Sequence, residues 1–210
     1  MTTYIQVFKN YNKKNPIVLM LSFFLFNLIL KTIFISSTSI AGDEPFSIYH
    51  AQMNIGSIIS QLSNGNNPPF YEILLHYWIN IFGISPLAVR SLSVIASSLT
   101  VIFLYKIGKE FISDFVAVFS CLLFSFSNLH ILLSHEARVY SILSFFITVS
   151  MYHFLSAIRK DNKKTHFIVL TITNILIIYA HYFGFFILFL QFMISQFLFR
   201  DKKFYKGFWL

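Results

Sequence analysis

Asp43 and Glu44 are the only adjacent carboxylates in the chain, and they stand in residues 41–50 (AGDEPFSIYH), directly after a long apolar run. A carboxylate against a low-dielectric wall can have its pKa raised toward the working range of a general base, with a neighbour that orients it or binds substrate. The same pair could instead only start a helix, Asp43 as its cap and Glu44 in the first turn beside Pro45, where acids suit the helix dipole. Spacing leaves both readings open. The second candidate is His135-Glu136-Ala137-Arg138-Val139-Tyr140. There Arg138 offers a planar fork for a phosphate with Glu136 to restrain it, or is an interfacial arginine paired with that glutamate. His130 and His135 fall on different helix faces, a poor spacing for zinc. With His181 they could meet a divalent metal or a substrate hydroxyl, or be belt residues. No glycine-rich phosphate loop and no HExxH is present, so neither a nucleotide-driven pump nor a zinc protease finds support.

These groups are carried by a chain that is 56% hydrophobic, 19% aromatic and 11% charged, with mean hydropathy +0.68. Such values lie far outside those of a water-soluble domain and indicate a polytopic membrane protein. The formal charge of +8 reads as topology rather than as a nucleic-acid surface, because basic residues are sorted to the cytoplasmic ends of spans. Nucleic acid is not an expected partner. Cys121, the single cysteine, lies inside an apolar run, which excludes an intramolecular disulfide and a thiolate metal site and suits a packed core residue.

About 20 apolar residues cross the hydrocarbon. Residues 16–35 form the first expected span, retained rather than cleaved, because it is too long for a signal peptide and lacks a small-residue cleavage site. Residues 46–62 follow as one amphipathic helix with Ile48, Ala51, Ile55, Ile58, Ile59 and Leu62 on one face, suited to the membrane surface. After the turn chemistry of 63–67, Pro68 and Pro69 open a helix over 70–82, which at about 20 Å is too short to span. Runs at 87–105, 115–133 and 140–157 each approach full length. Residues 167–199 are too long for one helix and basic at both flanks, so they cross twice, turning near His181, Tyr182 and Gly184.

Parity then sorts the charges. With Lys9, Lys13, Lys14, Lys106, Lys109, Arg159, Lys160, Lys163, Lys164, Arg200, Lys202, Lys203 and Lys206 on the cytoplasmic side, thirteen of the sixteen cations are accounted for. The other three, Lys31, Arg90 and Arg138, share the outer side with Asp43, Glu44, Glu72 and Glu136. An ionisable group at the bilayer centre costs roughly 2.5–3.5 kcal/mol, so this mixed-sign set should gather at the outer rim or in a wet cavity, and it is the candidate site.

Several stretches also stand in a telling order. They are Asp43-Glu44 after the first span, residues 67–78 (NPPFYEILLHYW) ending at Phe82-Gly83, residues 87–92 (LAVRSL), residues 105–111 (YKIGKEF), His135 to Tyr140, and residues 179–184 (YAHYFG). In this order they resemble the N-terminal half of the C-type (GT-C) membrane glycosyltransferases, in the branch of dolichyl-phosphate-mannose protein mannosyltransferases and bacterial aminoarabinose or related sugar transferases. The resemblance covers nearly all of 16–199; single motifs are weak, and the ordered set is fairly specific. It implies a polyprenyl-phosphate sugar donor, a lipid, protein or polysaccharide acceptor, and a site on the extracytoplasmic face. By resemblance Asp43 deprotonates the acceptor hydroxyl for inverting transfer, with Glu44 beside it. Arg138 holds phosphate or shapes the site, with Glu136, Arg90, Lys31, Asn67 and His181 as further substrate-binding candidates. Asn67 stands where the family usually has histidine or lysine, and His135 where it commonly has glutamine. No cofactor is required by these residues; a divalent metal is the one candidate.

The expected architecture is therefore all-α and integral to the membrane, with about six spans and extracytoplasmic interfacial helices in a loop over 41–85. Residues 1–210 read as a single transmembrane domain, the N-terminal part of a longer enzyme in a prokaryotic plasma membrane. The rival is a non-catalytic polytopic protein, a transporter piece or an assembly subunit. A transporter would place ionisable groups near the midplane and often repeat internally; here they lie toward one face, without a repeat.

Overall fold

The computed structural model describes residues 15–65, 67–159 and 163–198. The basic residues Lys9, Lys13, Lys14, Lys160, Arg200, Lys202, Lys203 and Lys206, read above as topology signals, lie outside them. All regular structure among the described residues is helical. The elements are α1 (Pro16–Thr32), α2 (Glu44–Ala51), α3 (Ile55–Leu62), α4 (Phe70–Phe82), α5 (Pro86–Ile107) with a π turn over Gly108–Ile112, α6 (Asp114–Phe126), α7 (Asn128–Ser134), α8 (Tyr140–Arg159), α9 (Lys163–Ala180) and α10 (Gly184–Leu198).

Helices stand at all six places where the hydropathy called for spans. Two of them, 86–112 and 140–159, are long and apolar enough to cross a membrane, and α6 with α7 makes a third crossing if that pair, bent by 60°, is one span. The other three, α1, α9 and α10, are apolar but shorter. Expected boundaries shift where polar side chains interrupt the ladder. The run 115–133 breaks at Ser127, whose backbone is extended. The single amphipathic helix expected over 46–62 is two helices, because Asn54 turns extended and its side chain accepts the Ser57 N–H at 2.9 Å, starting a new helix. The turn at 181–183 falls where it was expected, between α9 and α10.

Polar residues also join the helices. Ser150 of α8, Asn174 of α9 and Gln191 of α10 close a triangle in which Ser150 Oγ donates to Asn174 Oδ1 at 2.6 Å, Asn174 Nδ2 to Gln191 Oε1 at 2.8 Å, and Gln191 Nε2 to Ser150 Oγ at 2.7 Å. Between apolar helices in lipid such bonds hold where burial of apolar area gives little preference. Lys31 of α1 is fully buried, its Nζ donating to Ser97 Oγ of α5 at 2.8 Å and lying 4.2 Å from the Phe124 ring centre.

One end of the bundle carries α2, α3 and α4. α2 packs on α4 through Ile48, Ala51, Tyr71, Leu75 and Ile79, in one cluster with Val89 and Leu92 of α5 and Ala137 and Val139 before α8. His76 Nδ1 bonds the Ala51 carbonyl at 2.8 Å, and Trp78 Nε1 donates to the Ala88 carbonyl at 2.9 Å, so α4 is tied to α2 and to the start of α5. At the opposite end α5 and α8 finish together, with Arg159 reaching the carbonyls of Glu110 and Phe111.

Gly108, at the π turn, packs directly on the backbone of α6: a Cβ there would stand 2.5 Å from Ala117 Cα and 2.7 Å from its backbone nitrogen. Overpacking of this kind costs about 1–3 kcal/mol. Gly108→Ala should therefore lower the thermal midpoint of the detergent-solubilised protein, whereas Gly56→Ala, with only the Asn54 side chain at 3.5 Å, should leave the α5–α6 junction untouched.

Candidate active site

Arg90 is placed about one turn into α5, with Ser85 capping that helix by accepting the Ala88 N–H at 3.2 Å. Its guanidinium is buried and every nitrogen donates. Nε and Nη2 grip Glu44 at 2.8 and 2.6 Å. Nη1 reaches the carbonyls of Ile35 and Thr38 at 2.8 and 2.9 Å, and Nη2 also reaches that of Ser39 at 3.0 Å. The loop after α1 is thereby wrapped around one cation, with Phe34 in the left-handed region (φ 64) where the chain reverses, a conformation costing about 1–3 kcal/mol for such a residue. Glu44 in turn accepts the Ala137 N–H at 2.9 Å and the Ala41 N–H at 3.3 Å. Burial alone would raise its carboxyl, but the Arg90 hydrogen bonds and these two amides together hold it below its ordinary value.

This clamp sets Asp43 against Arg138. Asp43 occupies the cap position of α2 yet makes no capping bond. Its carboxylate is 77% exposed, with Oδ2 at 3.5 Å from Arg138 Nη2. Arg138 Nη1 also donates to the Asp43 carbonyl at 3.3 Å and approaches Ser47 Oγ at 3.5 Å. Glu136, read above as the group restraining Arg138, is exposed; only its backbone carbonyl contributes, accepting the Arg138 N–H at 2.8 Å. The ion pair of Arg138 is with Asp43 instead.

On the buried side of Arg138, Ser47, Asn67, Pro68, Tyr71, Glu72 and Arg138 line a pocket of about 10 Å³, room for about one water-sized group. Glu72 is 4% exposed and accepts from Ser47 Oγ at 3.0 Å through Oε1. Its Oε2 and the Nε of Arg138 are buried without a protein partner. Burial pushes the Glu72 carboxyl above its ordinary value, against the smaller opposing pull of hydrogen bonds from its own backbone and Ser47 and of the Arg138 charge. Ser47 and Tyr71 are site residues that sequence reasoning did not single out, and Glu72 was counted in the outer mixed-sign set without a role. The available signal was an acid inside a helix otherwise apolar on the face it shares with Leu75 and Ile79.

The remaining candidates divide. Asn67 lines the pocket. His181 sits in the α9–α10 turn with Nδ1 accepting the Phe183 N–H at 3.2 Å, and burial, aided by the Arg138 charge, lowers its pKa. Lys31 contacts Ser97 and Phe124 rather than the pocket, and its carbonyl accepts from His135 Nε2 at 2.8 Å, pinning the loop before α8 to the end of α1. His130 packs on Phe124. His130, His135 and His181 therefore do not converge, and no three His, Cys, Asp or Glu side chains among the described residues form a metal-ligand set.

Removing one partner of a buried, hydrogen-bonded ion pair costs about 3–5 kcal/mol, so Glu44→Ala should sharply lower the unfolding midpoint. The lowered Glu44 carboxyl contributes stability that is complete above its ordinary value of 4.5 and lost as pH falls through its folded value. Glu72, raised, acts in the reverse sense but is common to both proteins when wild type is compared with Glu44→Gln. The gap between their unfolding midpoints should be widest above pH 4.5 and close on acidification; a gap independent of pH would contradict the clamp.

The model of the family described as dolichyl-phosphate-mannose-protein mannosyltransferase matches residues 66–209. No curated protein and no solved structure matches the chain. The matched stretch holds Asn67, Glu72, Arg90, Glu136, Arg138 and His181 and begins after Asp43 and Glu44. With well over half of its length matched, and with apolar helices at every expected span, the chain is an integral membrane protein that belongs to the dolichyl-phosphate-mannose-protein mannosyltransferase family.

Proposed function

We propose that the chain is the N-terminal catalytic part of a glycosyltransferase that moves a sugar from a polyprenyl-phosphate donor to an acceptor hydroxyl on the extracytoplasmic face of a prokaryotic plasma membrane. The observation that carries this reading is the pairing of an exposed carboxylate, Asp43, with Arg138, which lines a pocket on its other side. Orientation rests on the thirteen cations assigned to the cytoplasmic side. Those that lie among the described residues of α5 and α8, Lys106 and Arg159, sit at the end away from Asp43.

In the reaction, Asp43 takes the proton of the acceptor hydroxyl as its oxygen attacks the anomeric carbon. The bond from that carbon to the phosphate oxygen breaks on the opposite face, its electron pair leaving with the lipid phosphate, and configuration inverts. Arg138 holds the phosphate, whose negative charge grows as the bond breaks; a guanidinium in a low-dielectric setting stabilises that charge more than water does. Its ion pair with Asp43 keeps base and phosphate site in one register. Glu44 and Arg90 act by positioning the two. The acceptor is a hydroxyl of protein, lipid or polysaccharide.

A general base contributes about 10²–10⁴-fold. Full-length Asp43→Asn, expressed in its own host at the level of wild type, should lose transfer by that factor and accumulate one polyprenyl-phosphate sugar, read by mass spectrometry of membrane lipids. Unchanged lipid profiles and unchanged glycoconjugates would remove Asp43 from catalysis and favour an assembly subunit that keeps the fold.

A further inference from the structure

Behind Arg138, three atoms of the pocket-lining side chains are buried with no hydrogen-bond partner, Tyr71 Oη, Glu72 Oε2 and Arg138 Nε. The carboxyl oxygen is an acceptor site, the guanidinium nitrogen an obligate donor, and the phenol can do either. Glu72 and Arg138 are bridged by one hydroxyl, Ser47 Oγ, which lies 3.0 Å from Glu72 Oε1 and 3.5 Å from Arg138 Nη1. Leaving such atoms unpaired costs about 1–3 kcal/mol each, more for charged groups, so the arrangement favours a small polar group that pairs with them.

The chemistry of Glu72 Oε2 and Arg138 Nε selects its class. An ammonium group satisfies the carboxylate but is repelled by the guanidinium. A phosphate or carboxylate satisfies Arg138 and is repelled by Glu72. A hydroxyl donates one hydrogen bond and accepts another, so it is the neutral group whose chemistry matches both atoms. Size agrees, since a space of about 10 Å³ admits one hydroxyl and not a sugar ring. We infer that Glu72, with Ser47 and Arg138, is a specificity-determining subsite that receives one ring hydroxyl of the donor sugar. This rests on the donor-transfer reading above and assigns to Glu72 a task distinct from that of Asp43. The donor, rather than the acceptor, is the partner, because the subsite lies on the buried side of Arg138, away from the exposed Asp43 where an acceptor must approach.

The test measures binding, not turnover. Full-length protein in lipid nanodiscs is given tritiated citronellyl-phosphate mannose, competed by the unlabelled probe and by each of its monodeoxy forms. Wild type should bind one deoxy form about 10- to 100-fold more weakly than the parent, the range expected for a hydroxyl bonded to charged groups. Glu72→Gln should lose that discrimination while ranking the other deoxy forms as wild type does. Asp43→Asn should keep it. Should Glu72→Gln not yield monodisperse protein, wild type alone decides on the deoxy series and Ser47→Ala replaces it as the variant. Equal binding of every deoxy form by wild type, or full discrimination retained in Glu72→Gln, overturns the subsite, and the base assignment still stands if Asp43→Asn accumulates donor lipid. No binding of the mannose probe by wild type overturns the subsite; unchanged lipid profiles in Asp43→Asn then sink the transfer reading as well.

Discussion

The guanidinium of Arg90 is the point on which the rest of this end of the molecule depends. Taken alone, a cation inside an apolar helix is costly, and it is tolerated because all its donors are used: two on Glu44 and the others on carbonyls of the loop after α1. That loop has no regular structure of its own between α1 and α2. Its path, including the left-handed turn at Phe34, follows from delivering its carbonyls to one buried charge. Glu44 then passes the constraint on by accepting the Ala137 N–H, so three segments far apart in the chain meet at one ion pair.

The consequence is a separation of roles within an adjacent pair of acids. Glu44 is buried and spent on structure, and Asp43, one residue earlier, is turned outward onto Arg138. Arg138 itself faces two ways, toward the exposed Asp43 and toward the buried Ser47 and Glu72. A cation between an accessible carboxylate and an enclosed one can bind an anion at its mouth and a neutral polar group behind. Fixing these groups on helix starts and on a loop pinned at His135 keeps them within the small tolerances that positioned chemistry needs.

Much of the fold could be read from hydropathy. The spans, the short non-spanning helix at Phe70–Phe82 and the turn at His181 all follow from run length and from proline and polar punctuation. Breaks at Ser127 and Asn54 escaped that reading because a single polar residue is tolerated inside a helix; at Asn54 its side-chain bond to the Ser57 N–H starts the new helix, whereas Ser127 turns extended without a capping bond. The three-helix triangle of Ser150, Asn174 and Gln191 was equally silent, since its members are spaced like many isolated polar residues in spans. Of the site, parity placed Lys31, Arg90, Arg138 and the four acids on one side. It could not say that Lys31 would turn to Ser97, that Glu136 would stay exposed, or that Glu72 would close the pocket behind Arg138.

By itself, then, the sequence determined which segments enter the membrane, which end gathers the mixed charges, and the family to which their order belongs. These are properties of composition and order along the chain, set by the free energy of moving each segment out of water. Only the tertiary structure decided which acid pairs with which arginine. That choice depends on distances between α2, α4, α5 and the loop before α8, and on the competition of Arg90 and Arg138 for neighbouring carboxylates. Hydropathy and spacing carry no information about that competition, because the pairing energy falls with a separation that exists only once the helices have packed.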